Sequence, residues 1–310
     1  MTTDVAKVVA VAGGSGFIGS TIARRISRIA GFRVRLLTRN PEQARRRFEG
    51  LDADFVRAEV TDAASVREAV ADSHAVVSAV QFDGYPVEDW SRGLTFEKVD
   101  YGGTVALLDA AKASSAKHFV YISGVAADEK SDHPAFRAKG RAERAVRESG
   151  LPYTIFRPSL VFGPGDRTVN LFARMLCFTP VFAVPGTGRQ RMQPVFVEDL
   201  AACVALALTD SDRARNMTFD VGGPEPMTFD DLIRLVMDVT GRHRPLLHIP
   251  EAMMRAVGFM AEKLPRPMLS RDAITFVTAD HVCDIAPLVE KLGIQLTPMR
   301  QALSYLAPPR

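Results

Sequence analysis

The sequence predicts an α/β protein: a doubly wound parallel sheet followed by a smaller, mostly helical lid region. Three observations carry that class. Val8 to Ala12 is a short apolar run with no polar break, as expected of a strand buried on both faces. Gly13, Gly16 and Gly19 follow it, and then Ile22, Ile26 and Ile29 recur at helical spacing. The same alternation of apolar runs and helical patterns continues through Arg157, which implies parallel strands with helices on both faces.

The elements follow in order. Phe32 to Arg39 reads as a second strand, and Asn40-Pro41 ends it and begins a helix through Arg47. Asp54 to Val60 is a third strand, and Asp62 is a good N-cap for residues 63–70. Ala75 to Val80 is a fourth strand. Residues 81–95 are loop-like, with Gly84, Pro86 and the single tryptophan, Trp90. Phe96 to Ser114 reads as one long helix with Val99, Val105, Leu107, Leu108 and Ala111 inward, and His118 to Ser123 as a fifth strand. Pro134 to Ser149 is a charged helix ended by Gly150, and Tyr153 to Arg157 is a sixth strand.

Composition shifts near Gly163-Pro164-Gly165. Asn170 to Cys177 is apolar and helical, and Pro180 to Gly188 is rich in proline and glycine. Val195 to Val197 is a short strand, and Asp199 reads as the cap of a helix over Leu200 to Leu208. Thr228 and Asp231 form a near capping box for Phe229 to Thr240, closed by Gly241. His243 and His248 fall in a proline-rich linker. The expected division is 1–163 for the first region and 164–310 for the lid, partly interleaved with the sheet.

Bulk properties exclude several classes. At 310 residues the chain can bury a sizeable core. Lysine and arginine number 39 against 36 acidic residues, a net charge of +3, too small to argue for nucleic acid. Cys177, Cys203 and Cys283 lie far apart and form no metal or disulfide pattern. The histidines show no metal spacing, and no metal is expected. No apolar run reaches the ~20 residues that span a bilayer, and the first strand begins almost at once, leaving no room for a signal peptide. A cytoplasmic protein is expected. The oligomeric state is not legible.

A strand, a glycine turn and a helix are the context that a Rossmann-type dinucleotide site requires. The spacing is Gly-x-x-Gly-x-x-Gly. Gly13 would allow the tight turn, Gly16 the close approach of a pyrophosphate, and Gly19 the packing of helix on strand. The phosphates would meet the free N–H groups and positive dipole end of the helix, with Ser15, Phe17 and Ile18 completing the contact set. The end of the second strand faces the adenine ribose in such folds. It carries Thr38-Arg39 and no carboxylate, so Arg39 points to the 2′-phosphate of NADP rather than to NAD; the plainer reading is a solvated arginine. Arg45, Arg46 and Arg47 read as a solvated helix face. Asp62 would lie at the adenine edge, and Ala79 and Val80 would line the cleft.

Gly13 to Gly19 and Arg157 to Pro164 together resemble the extended form of the short-chain dehydrogenase/reductase superfamily. The tract Arg157 to Phe172, with Gln193 to Asp199 and Ser270-Arg271-Asp272, is similar to its atypical branch, which contains the 39 kDa accessory subunit of respiratory complex I and bacterial relatives. The resemblance implies that Leu160 lies beside the nicotinamide. It also implies a lysine that holds the nicotinamide ribose, a tyrosine four residues before it, and a serine or threonine at the fifth strand's end. Lys139 matches the lysine and Ser123 the first serine of the strand-end run. Ala135 stands at the tyrosine's place and Val125 at the usual catalytic serine's, so two of three working groups are missing.

Two functions compete. One is an NADP(H)-binding protein with little or no turnover, in a structural, sensing or assembly role. The other is an oxidoreductase, epimerase or dehydratase for a small carbonyl or nucleotide sugar, with its proton donor drawn from elsewhere, Tyr85 and Tyr121 being the first places to look. In that second case Lys139 is the catalytic candidate. The Met-rich stretch 250–264 is amphipathic. It reads as a lid helix packed on the core, or as a segment that docks on a protein partner or membrane surface.

Overall fold

The computed structural model describes residues 6–83, 87–114, 116–261, 274 and 278–307. Its first half runs β1 (Lys7–Ala12), α1 (Phe17–Ile26), β2 (Phe32–Thr38), α2 (Pro41–Arg47), β3 (Ala53–Arg57), α3 (Ala63–Val70), β4 (Ala75–Ser78), α4 (Gly102–Ala113), β5 (His118–Ile122), α5 (Pro134–Glu148) and β6 (Tyr153–Pro158). The second half adds β7 (Val161–Phe162), α6 (Val169–Phe178), β8 (Phe182–Pro185), β9 (Arg191–Met192), β10 (Val195–Phe196), α7 (Val197–Thr209), α8 (Ser211–Ala214) and β11 (Met217–Val221). It continues through β12 (Met227–Thr228), α9 (Phe229–Thr240), β13 (Leu246–Ile249) and α10 (Glu251–Ala261).

Seven strands form one sheet in the order β11-β6-β5-β4-β1-β2-β3, parallel throughout. The order in which strands are added reverses between β1 and β4, which makes that pair the switch point where such sheets open a crevice. The pleat sorts the core. Val9 and Val11 pack with Ile22 and Ile26 of α1 and with α7, whereas Ala10 and Ala12 pack with α3, α4 and α5 on the other face. A third core gathers Phe162, Leu176, Phe182, Phe229 and Ile233 from the second half. Phe172 meets Phe182 and Phe229 edge-on there.

Several local readings change. The stretch 96–114 is not one α-helix: it opens with a π-helical turn over Phe96–Tyr101, capped by the Thr95 hydroxyl on the Lys98 N–H at 3.1 Å. The wider turn puts Val99 and Asp100 side by side on the buried face. The proline-rich stretches at 180–188 and 243–250 each contain a strand, β8 and β13, which pair in parallel. Pairing across the chain, not local propensity, makes them strands. Both His248 Nε2 contacts are to Asp230, at 3.0 and 3.1 Å.

Asp199 is not a cap. The helix begins two residues earlier, at Val197, and the Asp199 carboxylate instead accepts the N–H of Thr297 at 2.7 Å and its hydroxyl at 2.9 Å. It ties the C-terminal segment to α7. Asp199→Ala leaves both Thr297 donors unmatched, which costs about 1–3 kcal/mol. Urea denaturation of the two proteins measures it, and an unchanged midpoint would show that the tie carries no stability.

Candidate functional site

The glycine turn is built by backbone crowding. Gly13 has φ +73°, and a Cβ there would lie 2.2 Å from the Ala79 carbonyl oxygen. A Cβ on Gly19 would lie 2.3 Å from the Gly13 carbonyl oxygen. Both contacts are with backbone, which cannot step aside. Gly16 differs: its Cβ would meet only the Gly13 carbonyl, at 3.1 Å, and the residue is exposed. Thus Gly13 and Gly19 let the chain close up, while Gly16 leaves one side of the turn open.

No side chain caps α1, and its first turn contains no acidic residue. First-turn N–H groups have no acceptor within a helix, so Phe17, Ile18 and Gly19 present donors and the positive dipole end at the mouth of this turn. Ala79 and Val80 follow β4 on the other side of the crevice. This cradle fits a pyrophosphate.

On the β2–β3 side, Arg39 extends from the end of β2. Its guanidinium pairs with Asp83 and stands 4.0 Å from Glu59. The side chain is 56% exposed, so both pairs are open to exchange with an anion. Arg47 lies closer to the turn than expected: Nη1 donates to the Ser15 carbonyl at 3.2 Å, and the guanidinium sits over the Phe48 ring. Arg45, Arg46 and Arg47 are all exposed, as a solvated helix face requires, and Arg47 adds a surface bond 32 residues back. Asp62 caps α3 through the N–H groups of Ala64 and Ser65.

The β4–β5–β6 side holds buried charge. Glu143 of α5 is 1% exposed and is satisfied on all sides. It accepts the Ser123 hydroxyl at 2.6 Å, Nε and Nη2 of Arg157 at 2.7 and 2.6 Å, and Nη2 of Arg147 at 2.6 Å. The Ser123 hydroxyl, expected at the cofactor, is therefore directed at Glu143. Lys139 lies one turn before Glu143 on the same helix face, half-buried, with its stem against Gly124. Burial lowers its pKa, and the charges of Asp100 and Glu143 oppose that shift. Leu160 is buried in the third core, beside β7.

Asp100 was not singled out by its sequence context. It is 1% exposed, and its Oδ2 accepts the Phe82 N–H at 3.3 Å. Its Oδ1 has no hydrogen-bond partner among the described residues. A π-helical turn at this place is the kind of feature that marks functional sites, but only the fold shows it. Tyr121 is buried on β5, an inner strand of the sheet; burial and the charges of Asp100 and Glu143 raise its pKa well above 10. It is removed as a donor to a substrate. Tyr85 and Ser270-Arg271-Asp272 lie outside the described residues.

A sheet crossing over at β1/β4, with an uncapped glycine-turn helix at that point, defines a dinucleotide-binding protein. The model of the NAD(P)H-binding family matches residues 13–172, just over half of the chain, and the chain belongs to that family. Its similarity runs to subunit 9 of the mitochondrial NADH dehydrogenase [ubiquinone] 1 alpha subcomplex: 26% identity to the Arabidopsis thaliana protein over 88% of this chain and 70% of that one. The Mus musculus protein of the same name is 28% identical over 79% of this chain and 64% of its own length. The chain thus spans about two thirds of those relatives. A solved structure of the NADPH-dependent quinone oxidoreductase QOR2 from Escherichia coli, complexed with NADPH, shares the fold, with TM-score 0.74 and 17% identity over 96% of this chain and 99% of that one. The short-chain dehydrogenase/reductase resemblance, the α/β class and the relation to the complex I subunit all stand.

The open side of the turn sets a test. Gly16→Val should leave the fold intact at a cost of about 1 kcal/mol, because valine is a poor N-cap. It should nevertheless fill the space a pyrophosphate needs and abolish the rise in melting temperature expected of the parent protein on adding NADPH. A thermal shift that persists in the variant would put the phosphates elsewhere.

Proposed function

We propose that this protein binds NADP(H) across the β1/β4 crevice and holds it without rapid turnover, in a structural, sensing or assembly role. The phosphates sit at Gly13 to Gly19, with Ser15, Phe17 and Ile18 at the helix end. Arg39 and Asp62 face the adenosine, Ala79 and Val80 line the cleft, and Lys139 and Leu160 meet the nicotinamide half. The elements after residue 163 cover the cleft as a lid region.

One observation carries the non-catalytic part. The position four residues before Lys139 is Ala135, 4% exposed and packed in the core, and the next side chain, Phe136, stacks on His133. Neither can ionise or donate a proton. Reduction of a carbonyl leaves an alkoxide that must gain a proton, and a placed acid is worth roughly 10²–10⁴-fold.

The relatives are named as subunits of a larger enzyme, which supports a protein partner. The described part of the 250–264 segment agrees with a docking surface better than with a packed lid helix. In α10 only Met254 and Gly258 are buried, while Met253, Val257 and Met260 are exposed on one stripe. Residues 262–264 lie outside the described residues. Among the described residues no helix is long and apolar enough to cross a membrane. We place the protein in the cytoplasm, with α10 available to a partner or to a membrane surface.

Cofactor choice is tested by titration. NADPH should bind more tightly than NADH, and Arg39→Ala should remove about 1.5 kcal/mol of that preference, the low end for a charged hydrogen bond because the site is half exposed. Equal affinities in the parent protein would refute the 2′-phosphate assignment. Turnover is tested separately: with NADPH and a panel of carbonyl and nucleotide-sugar substrates, absorbance loss should stay below about 1 s⁻¹, the low end for enzymes. Faster oxidation would show that another acid serves the cleft.

A further inference from the structure

Asp100 is a buried carboxyl with one oxygen unmatched among the described residues, and it packs beside the end of β4. A dinucleotide laid across the β1/β4 crevice puts its adenosine toward β2 and β3 and its nicotinamide toward β4 and β5. Lys139 of α5 and Tyr121 of β5, both on that side, face Asp100 electrostatically. Its Oδ2 takes the N–H of Phe82, just beyond β4. Its carbonyl takes the Thr104 hydroxyl at 2.7 Å, and Thr104 in turn meets Ser78 at the end of β4. The charged and titratable groups facing it are Lys139 from α5, Glu88 from the preceding loop and Tyr121 from β5.

Burial and Glu88 push the Asp100 carboxyl up, and Lys139 and the Phe82 N–H pull it back, leaving it at about 7. It therefore changes charge in the neutral range. Glu143, the other buried carboxylate here, is held by two arginines. The nicotinamide ring itself differs in charge between its two states, cationic when oxidised and neutral when reduced.

We infer that Asp100 sets the discrimination between oxidised and reduced dinucleotide: its ionised carboxylate favours the cationic ring of NADP⁺, and its neutral form removes that advantage. This rests on the cofactor reading above. The proton exchanged belongs to the Asp100 carboxyl and passes to or from solvent, with no redox step. A unit charge acting across several ångströms of partly buried protein changes affinity by on the order of tenfold. By linkage, a bound cation lowers the pKa of the facing carboxyl, so NADP⁺ binding strengthens as pH rises through neutrality. The 2′-phosphate also titrates near this range, but both nucleotides carry it and it cancels in their ratio.

The affinities of NADP⁺ and NADPH should be measured by titration calorimetry at about pH 6 and about pH 8.5, either side of the Asp100 transition. In the parent protein the ratio should move toward NADP⁺ by about tenfold over that span. In the nearly isosteric Asp100→Asn it should stay flat. Lys139→Met should raise the pH at which the ratio turns, because the cation that lowers the Asp100 pKa is gone. A flat ratio in the parent protein, or an equal change in Asp100→Asn, overturns the inference while leaving the cofactor site standing. Binding of neither nucleotide at either pH overturns the cofactor reading, and the inference with it.

Discussion

The structure depends on a contact that admits no side chain. At Gly13 the backbone of the first turn approaches the Ala79 carbonyl so closely that a Cβ would lie 2.2 Å from it, and α1 returns onto the same turn at Gly19. A methyl group at either place would push apart β1, β4 and α1. Those three elements define the crevice, so its shape follows from two missing side chains. The uncapped helix end is a second consequence: with the turn this tight, the donors of the first turn face outward.

The crevice has two electrostatically different halves. Toward β2 and β3, Arg39 is exposed and its carboxylate partners are exchangeable, which suits a surface phosphate. Toward β5 and β6 the charges are buried and constrain one another. Glu143 is surrounded by Arg147, Arg157 and Ser123, and without its two arginines its charge would be stranded in the interior. Burial lowers the Lys139 pKa, and the charges of Asp100 and Glu143 oppose that shift. The half of the site that holds the nicotinamide in this reading is thus a balanced set of buried ions with an alanine where a phenol would act.

The second half of the chain returns to the first repeatedly. β11 extends the sheet at its β6 edge, α7 packs on α1, and Asp199 anchors Thr297. Asp166 gathers the N–H groups of Gly163, Thr168 and Val169, closing the loop that leads out of the sheet and into α6. These ties join the second half of the chain to the first, while one stripe of α10 is exposed.

Local chemistry was enough to read the parallel sheet, the glycine turn and several helix ends. An unbroken apolar strand, three glycines and a helical stripe are contiguous, and the capping by Asp62 and Thr228 uses bonds to residues no more than three positions away. The missing tyrosine at Ala135 was equally plain, because it is a spacing within one helix. What tertiary structure alone decided depends on residues far apart in the chain. Glu143 looked like one more charge on a charged helix until Arg157 and Ser123 met it. β8 and β13 became strands only by pairing with each other. Asp100 sat in an apolar helical pattern, and its burial, its unmatched oxygen and its charge near neutrality arise from the elements packed around it. Burial sets the electrostatics of such groups, and burial is a property of the assembled fold that no local window of sequence contains.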